Sequence, residues 1–254
     1  MLNRFRENAF ETHSSRLLSS MSTMPHIHHL RRGDPPMTLQ TVIATVLCLG
    51  ISVAFASDGF SQQEAMKLPD PRTSGGQPFF DVLKNRRTIR EFKTDMLSRQ
   101  DLSNLLWAAW GINRPDSGRR TAPTWANFQE FTIFVATKDG VWRWDDTDNT
   151  LYPHSTEDIR PLTQNRDFTT VVPVMLVYVA DYDKMQRAGS DRERELISWT
   201  DAGFISQNVY LYCAAEGLAT VVMGGIDREA VSGAMKLGPS QHVVHTQAVG
   251  YPAQ

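Results

Sequence analysis

The stretch ISWTDAGFISQNVYLYCAAEGLATVVM, residues 197–223, leaves this chain the least freedom. Ala202, Ile205, Val209, Tyr212 and Cys213 recur at helical spacing over about four turns of 3.6 residues. Glu216-Gly217 closes the pattern, because glycine accepts the left-handed backbone that ends a helix. Much of the helix circumference lacks polar residues, so the helix is expected inside the molecule or against a partner subunit. Asp201 reads as the N-cap that opens it, ahead of a catalytic base. Cys213 reads as a buried structural thiol rather than a nucleophile.

The remaining segments supply what could pack on that helix. EFTIFVATKDGVWRWD alternates and is rich in β-branched and aromatic residues, and Asp139-Gly140 predicts a hairpin between strands 131–137 and 141–145. Leu151 and Tyr152 continue it on a further strand. VVPVMLVYVAD, residues 171–181, is a near-continuous apolar run and predicts a central strand. Ser98 is placed to cap a helix in which Leu102, Leu105, Leu106, Ala109 and Trp110 recur, ended by Gly111 and Pro115. Phe79, Phe80, Val82 and Leu83 form the apolar side of a short helix. Residues 227–237 read as a short amphipathic helix, HVVHTQAVGYP as a last strand, and 114–129 as loop. Nothing divides 79–254, which reads as one domain after an extended lead-in over 57–78.

The lead-in follows a different kind of sequence. TVIATVLCLGISVAFA, residues 41–56, is uncharged and ends in Ala54-Phe55-Ala56, the pattern of a secretory signal peptide cleaved after Ala56. The run is short for a spanning helix, which needs about 20 residues. The expectation is an exported, periplasmic protein without stable membrane insertion; the alternative is an uncleaved N-terminal anchor. Met37 reads as the natural start, making 37–56 the signal within a 1–56 leader, although Arg31-Arg32 upstream would supply a basic n-region. Of the two cysteines, Cys48 and Cys213, cleavage would remove the first, so no internal disulfide is expected.

Chemistry is concentrated in KNRRTIREF, residues 84–92, where Lys84, Arg86, Arg87 and Arg90 surround Thr88. The net charge of −2 gives no field over the whole surface to recruit nucleic acid or anionic membrane, so the cluster is a local device. Guanidinium forks, a hydroxyl and free backbone N–H groups converge there in one small volume. That suits a phosphate monoester better than a carboxylate, because several donors must meet three oxygens. His154, His242 and His245 have no metal-ligand spacing, and neither a G-x-S-x-G nor a Walker-type loop occurs. No metal site is expected.

The order of segments adds to this. RRTIREF, then APTWANFQEFTIFVA, then the long helix ending EGLATVVMGG, then VGYP resembles the flavin-dependent nitroreductase superfamily over roughly residues 79–252. LLWAAWGINRP and GRRTAP look closer to its azoline-oxidising dehydrogenase branch than to the nitroaromatic reductases. The resemblance implies an α+β nitroreductase-like fold: a mixed, mostly antiparallel central sheet flanked by helices, in an intertwined homodimer. It implies FMN, with Arg86 and Thr88 on the phosphate and Arg87 contributing mainly through its backbone. Arg90 would face the pyrimidine edge of the ring. Pro123, Thr124 and Asn127 would reach across the dimer to the other subunit's flavin, and Gly224-Gly225 would lie beside N5. Arg90, Gly224 and Gly225 are thus the residues expected nearest the reacting atoms.

The implied activity is two-electron, ping-pong oxidoreduction of a small-molecule substrate, with NAD(P)H as one candidate donor. Flavin binding without turnover is the alternative. Two departures accompany the likeness. Gly224 stands where many relatives have an acidic residue. After Gly250 no Lys or Arg follows, so the phosphate clamp would rest on 86–90 or borrow from Arg119-Arg120. Trp125 could stack on ring or substrate, or pack at the dimer interface.

Overall fold

The computed structural model describes residues 63–253 apart from Asn165. The signal-peptide reading and its cleavage point lie outside the described residues. The strands are β1 (Met66–Lys67), β2 (Ile112–Arg114), β3 (Arg119–Arg120), β4 (Phe131–Thr137), β5 (Gly140–Asp145), β6 (Thr150–Ser155), β7 (Val174–Asp181), β8 (Ala219–Met223) and β9 (Gln241–Gly250). Seven of them form one sheet in the order β1-β6-β5-β4-β7-β9-β8, and β2 and β3 pair separately. Every named pairing is antiparallel. The expected hairpin forms with Thr137 opposite Gly140, whose φ of 134° lies outside the range side chains favour.

Both faces of the sheet are covered, and alternation along the strands shows it. Leu176, Tyr178 and Ala180 of β7 join Ile133 and Val135 in a core with the two longer helices. Met175, Val177 and Val179 join Phe134, Ala136, Val221 and Met235 on the opposite face. A strand buried on both sides has no polar face to display, which accounts for the unbroken apolar run. The strand itself starts at Val174, because 167–171 turn into a short helix before Pro173.

The long helix spans Asp191–Glu216 and starts earlier than its apolar pattern. Ser190 caps it by accepting from the Glu193 N–H, and Gly217 ends it at φ 69°. Asp201 is therefore not an N-cap; it sits mid-helix and is buried. The Ser-x-x-Glu pattern at Ser190–Glu193 carried the true start, inside what had looked like a plain charged stretch. The helix Arg99–Trp110 does begin at Ser98, whose side chain accepts from the Asp101 N–H. In the short helix Phe79–Asn85 only Val82 is buried, and Phe80 stays 81% exposed. Its apolar side faces outward. The helix of the 227–237 segment covers Arg228–Ala234 behind an Asp227 cap. Among the described residues no helix is long and apolar enough to cross a membrane.

Strand β8 is a sheet edge, and its free edge is not left bare. The Ile89 N–H donates to the Thr220 carbonyl at 3.1 Å, laying the basic run along β8. The run then pairs with the end of the domain, Lys93 N–H to Tyr251 O at 2.9 Å and Ala253 N–H to Glu91 O at 3.1 Å. Covering an edge removes a template for unwanted pairing, and here it also fixes where the arginines stand.

Candidate functional site

The geometry around residues 86–90 is organised by a side chain that the sequence reading had not singled out. Tyr210, on the long helix and 8% exposed, takes the Val222 N–H of β8 onto its hydroxyl oxygen at 3.1 Å. The same hydroxyl lies 3.1 Å from Thr88 Oγ1. Either hydroxyl can donate to the other; where Tyr210 donates, the Thr88 hydroxyl proton is left for an anion. The Arg86 guanidinium lies over the Tyr210 ring at 5.1 Å, a cation–π contact that orients the charge without neutralising it. Arg87 donates from Nε to the Asn85 carbonyl at 3.3 Å and is exposed, as is Arg90. Among the described residues, Arg86, Arg87 and Arg90 form no ion pair.

From Val222 the chain runs through Met223 directly into Gly224-Gly225, so the basic run and the glycine pair share one strand end. Neither glycine has a left-handed backbone. A Cβ on Gly224 would meet His245 at 3.6 Å and Trp199 at 3.8 Å, ordinary contacts; on Gly225 it would come 3.4 Å from Gln164 Nε2. The fold itself does not demand glycine here, and the missing side chains leave two bare backbone units just past the end of β8. Gln164 Nε2 donates to the Gly225 carbonyl at 3.1 Å.

Arg228 steadies the glycine pair. Its guanidinium donates to the carbonyls of Gly224 (2.9 Å), Val244 (2.9 Å) and Val243 (3.1 Å), and lies 4.8 Å over Trp199. Those carbonyls belong to the β8 end and to a bulge in β9, where Tyr178 pairs with His245 and Val179 with Val243. The bulge turns His245 edge-on to Trp199 at 5.0 Å. Burial first, and then the Arg228 charge, lower the His245 pKa and hold its ring neutral. His154 instead packs on Phe134 at 4.8 Å with Nε2 2.7 Å from the Met235 carbonyl, and His242 stacks on Tyr182 at 3.9 Å. Among the described residues no three potential metal ligands cluster. Cys213 is buried and free, its thiol pushed up by desolvation.

The loop holding Pro123, Thr124 and Asn127 stands apart from the basic run within one chain. Its anchor on the long helix is Asp201, whose Oδ2 accepts the Trp125 N–H at 2.8 Å. Asp201 and Tyr210 are nine residues apart, roughly 13 Å along the helix at 1.5 Å per residue. Ala126, Asn127 and Gln129 all have left-handed φ, at 52°, 55° and 49°. Such backbone costs about 1 kcal/mol or more per residue and persists only where its surroundings hold it. Thr124 Oγ1 accepts from the Gln129 N–H at 3.0 Å, and Arg187 donates to the Ala126 carbonyl at 2.5 Å.

Arg120 gives nothing to a phosphate. It is bound to Asp146, the Trp110 carbonyl and Gln129 Oε1, and lies 4.7 Å over the Trp110 ring. Desolvation lowers its pKa to about 10. The start of the 114–129 stretch, read as loop, belongs instead to the small β2–β3 ribbon that carries Arg120.

Residues 83–251 match the model of the nitroreductase family. The chain belongs to that family. It is accordingly an FMN-dependent oxidoreductase by membership, with the α+β fold that the family implies. A crystal structure of a nitroreductase-type protein from Ralstonia eutropha is 34% identical, covers 76% of this chain and 92% of its own, and superposes with a TM-score of 0.72. A nitroreductase-type protein of Methanocaldococcus jannaschii is 27% identical over 57% of this chain and 77% of its own length. At 19% identity, an NADPH:FMN oxidoreductase from Vibrio harveyi, solved with NAD+, shares the fold over 69% of each chain with a TM-score of 0.52.

Proposed function

We propose that this member of the nitroreductase family holds FMN with the Arg86–Arg90 run and the Gly224-Gly225 backbone, and works as a two-electron oxidoreductase on small molecules. One observation carries the reading. The Tyr210 hydroxyl joins Thr88 to Val222, and so holds the Thr88 hydroxyl and the unpaired Arg86 against the strand that runs on into a glycine pair packing does not require.

Bound FMN would supply hydride acceptance and return at N5, the basis of a ping-pong cycle between a donor and an acceptor. The chain's own residues do the rest. Arg86 and Thr88, with the Arg87 backbone, meet the phosphate oxygens. Arg90 brings a fixed cation to the ring edge where negative charge develops, which favours reduction. Arg228 grips three carbonyls and keeps Gly224-Gly225 from shifting as charge changes beside them.

Pro123, Thr124 and Asn127 serve the flavin of a second protomer in this reading. Exposed Phe79, Phe80, Leu83 and Phe204 support a homodimer that covers them. The 41–56 run supports export with cleavage after Ala56, giving a periplasmic enzyme. NAD(P)H is the first donor to test, and azoline-type substrates the first class to test as reductants.

The experiment is to purify the protein, record its visible spectrum, and mix it anaerobically with NADH, NADPH and candidate substrates. The expected material is yellow with one FMN per protomer, bleaches with a donor and recovers with an acceptor. Colourless protein that takes up no FMN from excess overturns the proposal. Yellow protein that no donor bleaches reduces it to flavin binding without turnover.

A further inference from the structure

The wall formed by 124–129 rests on a carboxyl pair that the proposed chemistry does not use. Glu130 is the residue just ahead of β4, wholly buried, and among the described residues neither of its carboxyl oxygens meets a donor on another residue. The group facing it is another buried carboxyl, Asp201 of the long helix. Two ionised carboxylates cannot hydrogen-bond to each other, and burying both charges together is costly. A single proton between them removes the repulsion and makes a bond.

The two sites are not equivalent. Asp201 Oδ2 already accepts the Trp125 N–H, a bond that favours its charged form. Glu130's own backbone N–H also favours its charged form, but burial outweighs it, so the proton belongs on Glu130. We propose that Glu130, protonated and donating to Asp201, is the positioning residue that holds the Trp125–Gln129 wall, and that loss of this proton releases it.

Other groups around the pair point the same way. Lys184, in the turn after β7, is the cation whose field reaches Glu130, but its ammonium is engaged with the Gln129 carbonyl at 3.2 Å. The Asp181 N–H donates to the Glu130 main-chain carbonyl at 3.0 Å, which fixes the backbone and leaves the carboxyl alone. Arg187 is spent on the Ala126 carbonyl. Among the described residues no cation is bonded to the pair, and burial, with Asp201 adding to it, pushes Glu130 up to about 7; burial raises Asp201 as well. Three left-handed residues wait on the far side of the Trp125 N–H bond, so the segment has strain to relax once the bond weakens.

That the released segment matters for FMN rests on the function proposed above; the latch itself does not. The test is a pH titration of the full chain followed by fluorescence of Trp125, isolated by subtracting the Trp125→Phe protein. FMN affinity is measured alongside. In the wild type the Trp125 signal should change in one step centred near neutrality. The FMN affinity of the wild type relative to Glu130→Gln should fall roughly tenfold between about pH 6 and about pH 8.5. Glu130→Gln keeps an N–H donor toward Asp201 without a charge, and should show neither change.

A flat wild-type Trp125 signal across that range overturns the latch, and so does the same step persisting in Glu130→Gln. The wild-type titration needs no variant to fold. If the protein binds no FMN but the Trp125 step appears and vanishes in Glu130→Gln, the latch stands and the cofactor reading falls.

Discussion

Two regions lean on the same helix and use their polar groups in opposite ways. Along Arg86–Arg90 the chain leaves donors over: unpaired guanidiniums, the Thr88 hydroxyl, and bare backbone at Gly224-Gly225. Around Trp125–Glu130 almost every donor is spent inside the protein, and what is left over is an acceptor pair short of one proton. The first arrangement, proposed above to be completed by an anion, costs the fold little, because its charges remain hydrated. The second completes itself and keeps a strained segment in place, so its failures should appear first as instability, with ligand affinity lost only through release of that segment.

The contrast can be broken most forcefully at Arg120. Arg120→Ala leaves Asp146 and the Trp110 carbonyl without their donor and should cost about 3 kcal/mol in denaturant unfolding. Arg86→Ala should do the reverse. It should weaken FMN affinity by about 2 kcal/mol, roughly thirtyfold by equilibrium dialysis, and leave unfolding within about 0.5 kcal/mol. If both variants lose stability alike, the contrast is wrong.

The pH dependence of unfolding sharpens it next. A carboxyl raised from 4.5 to about 7 contributes stability that is complete below the unfolded value and is lost as pH rises through the folded one. Wild-type protein should therefore lose on the order of 3 kcal/mol over that window relative to Glu130→Gln, measured by urea titration at each pH. Tyr210→Phe strips the bond to Val222 at the β8 edge and to Thr88, with an expected loss of about 1 kcal/mol and weaker FMN binding. The smallest effect belongs to Ala126→Gly. Glycine relieves the left-handed strain at φ 52° against its own entropy cost, for a gain of about 0.5 kcal/mol in thermal unfolding.

Much of the scaffold was legible because its signals are local. The Gly217 cap, the Ser98 cap, the Asp139-Gly140 hairpin and the apolar period of 202–213 each depend on residues within a few positions of one another. The same holds for the Arg-Arg-Thr-x-Arg run, whereas the glycine pair came forward only through the family resemblance. Asp201 shows where locality fails. A polar residue at the head of an apolar stripe looks like a cap, yet the Ser190-x-x-Glu193 pattern starts the helix ten residues earlier and carries Asp201 inside. Arg119-Arg120 looked like spare charge for the same reason, until Asp146 and Gln129 came into reach.

What the residues decided alone was most of the helices and strands, that the long helix must be covered, and that a cluster of cations stands near residue 88. Only the assembled molecule decided that Tyr210 spends its hydroxyl on a β8 amide, that Arg120 is occupied, and that Glu130 and Asp201 share a buried space. The reason is physical. Backbone propensity and capping act over one or two turns of chain, whereas desolvation and hydrogen-bond partnership depend on which distant atoms exclude water from a given group.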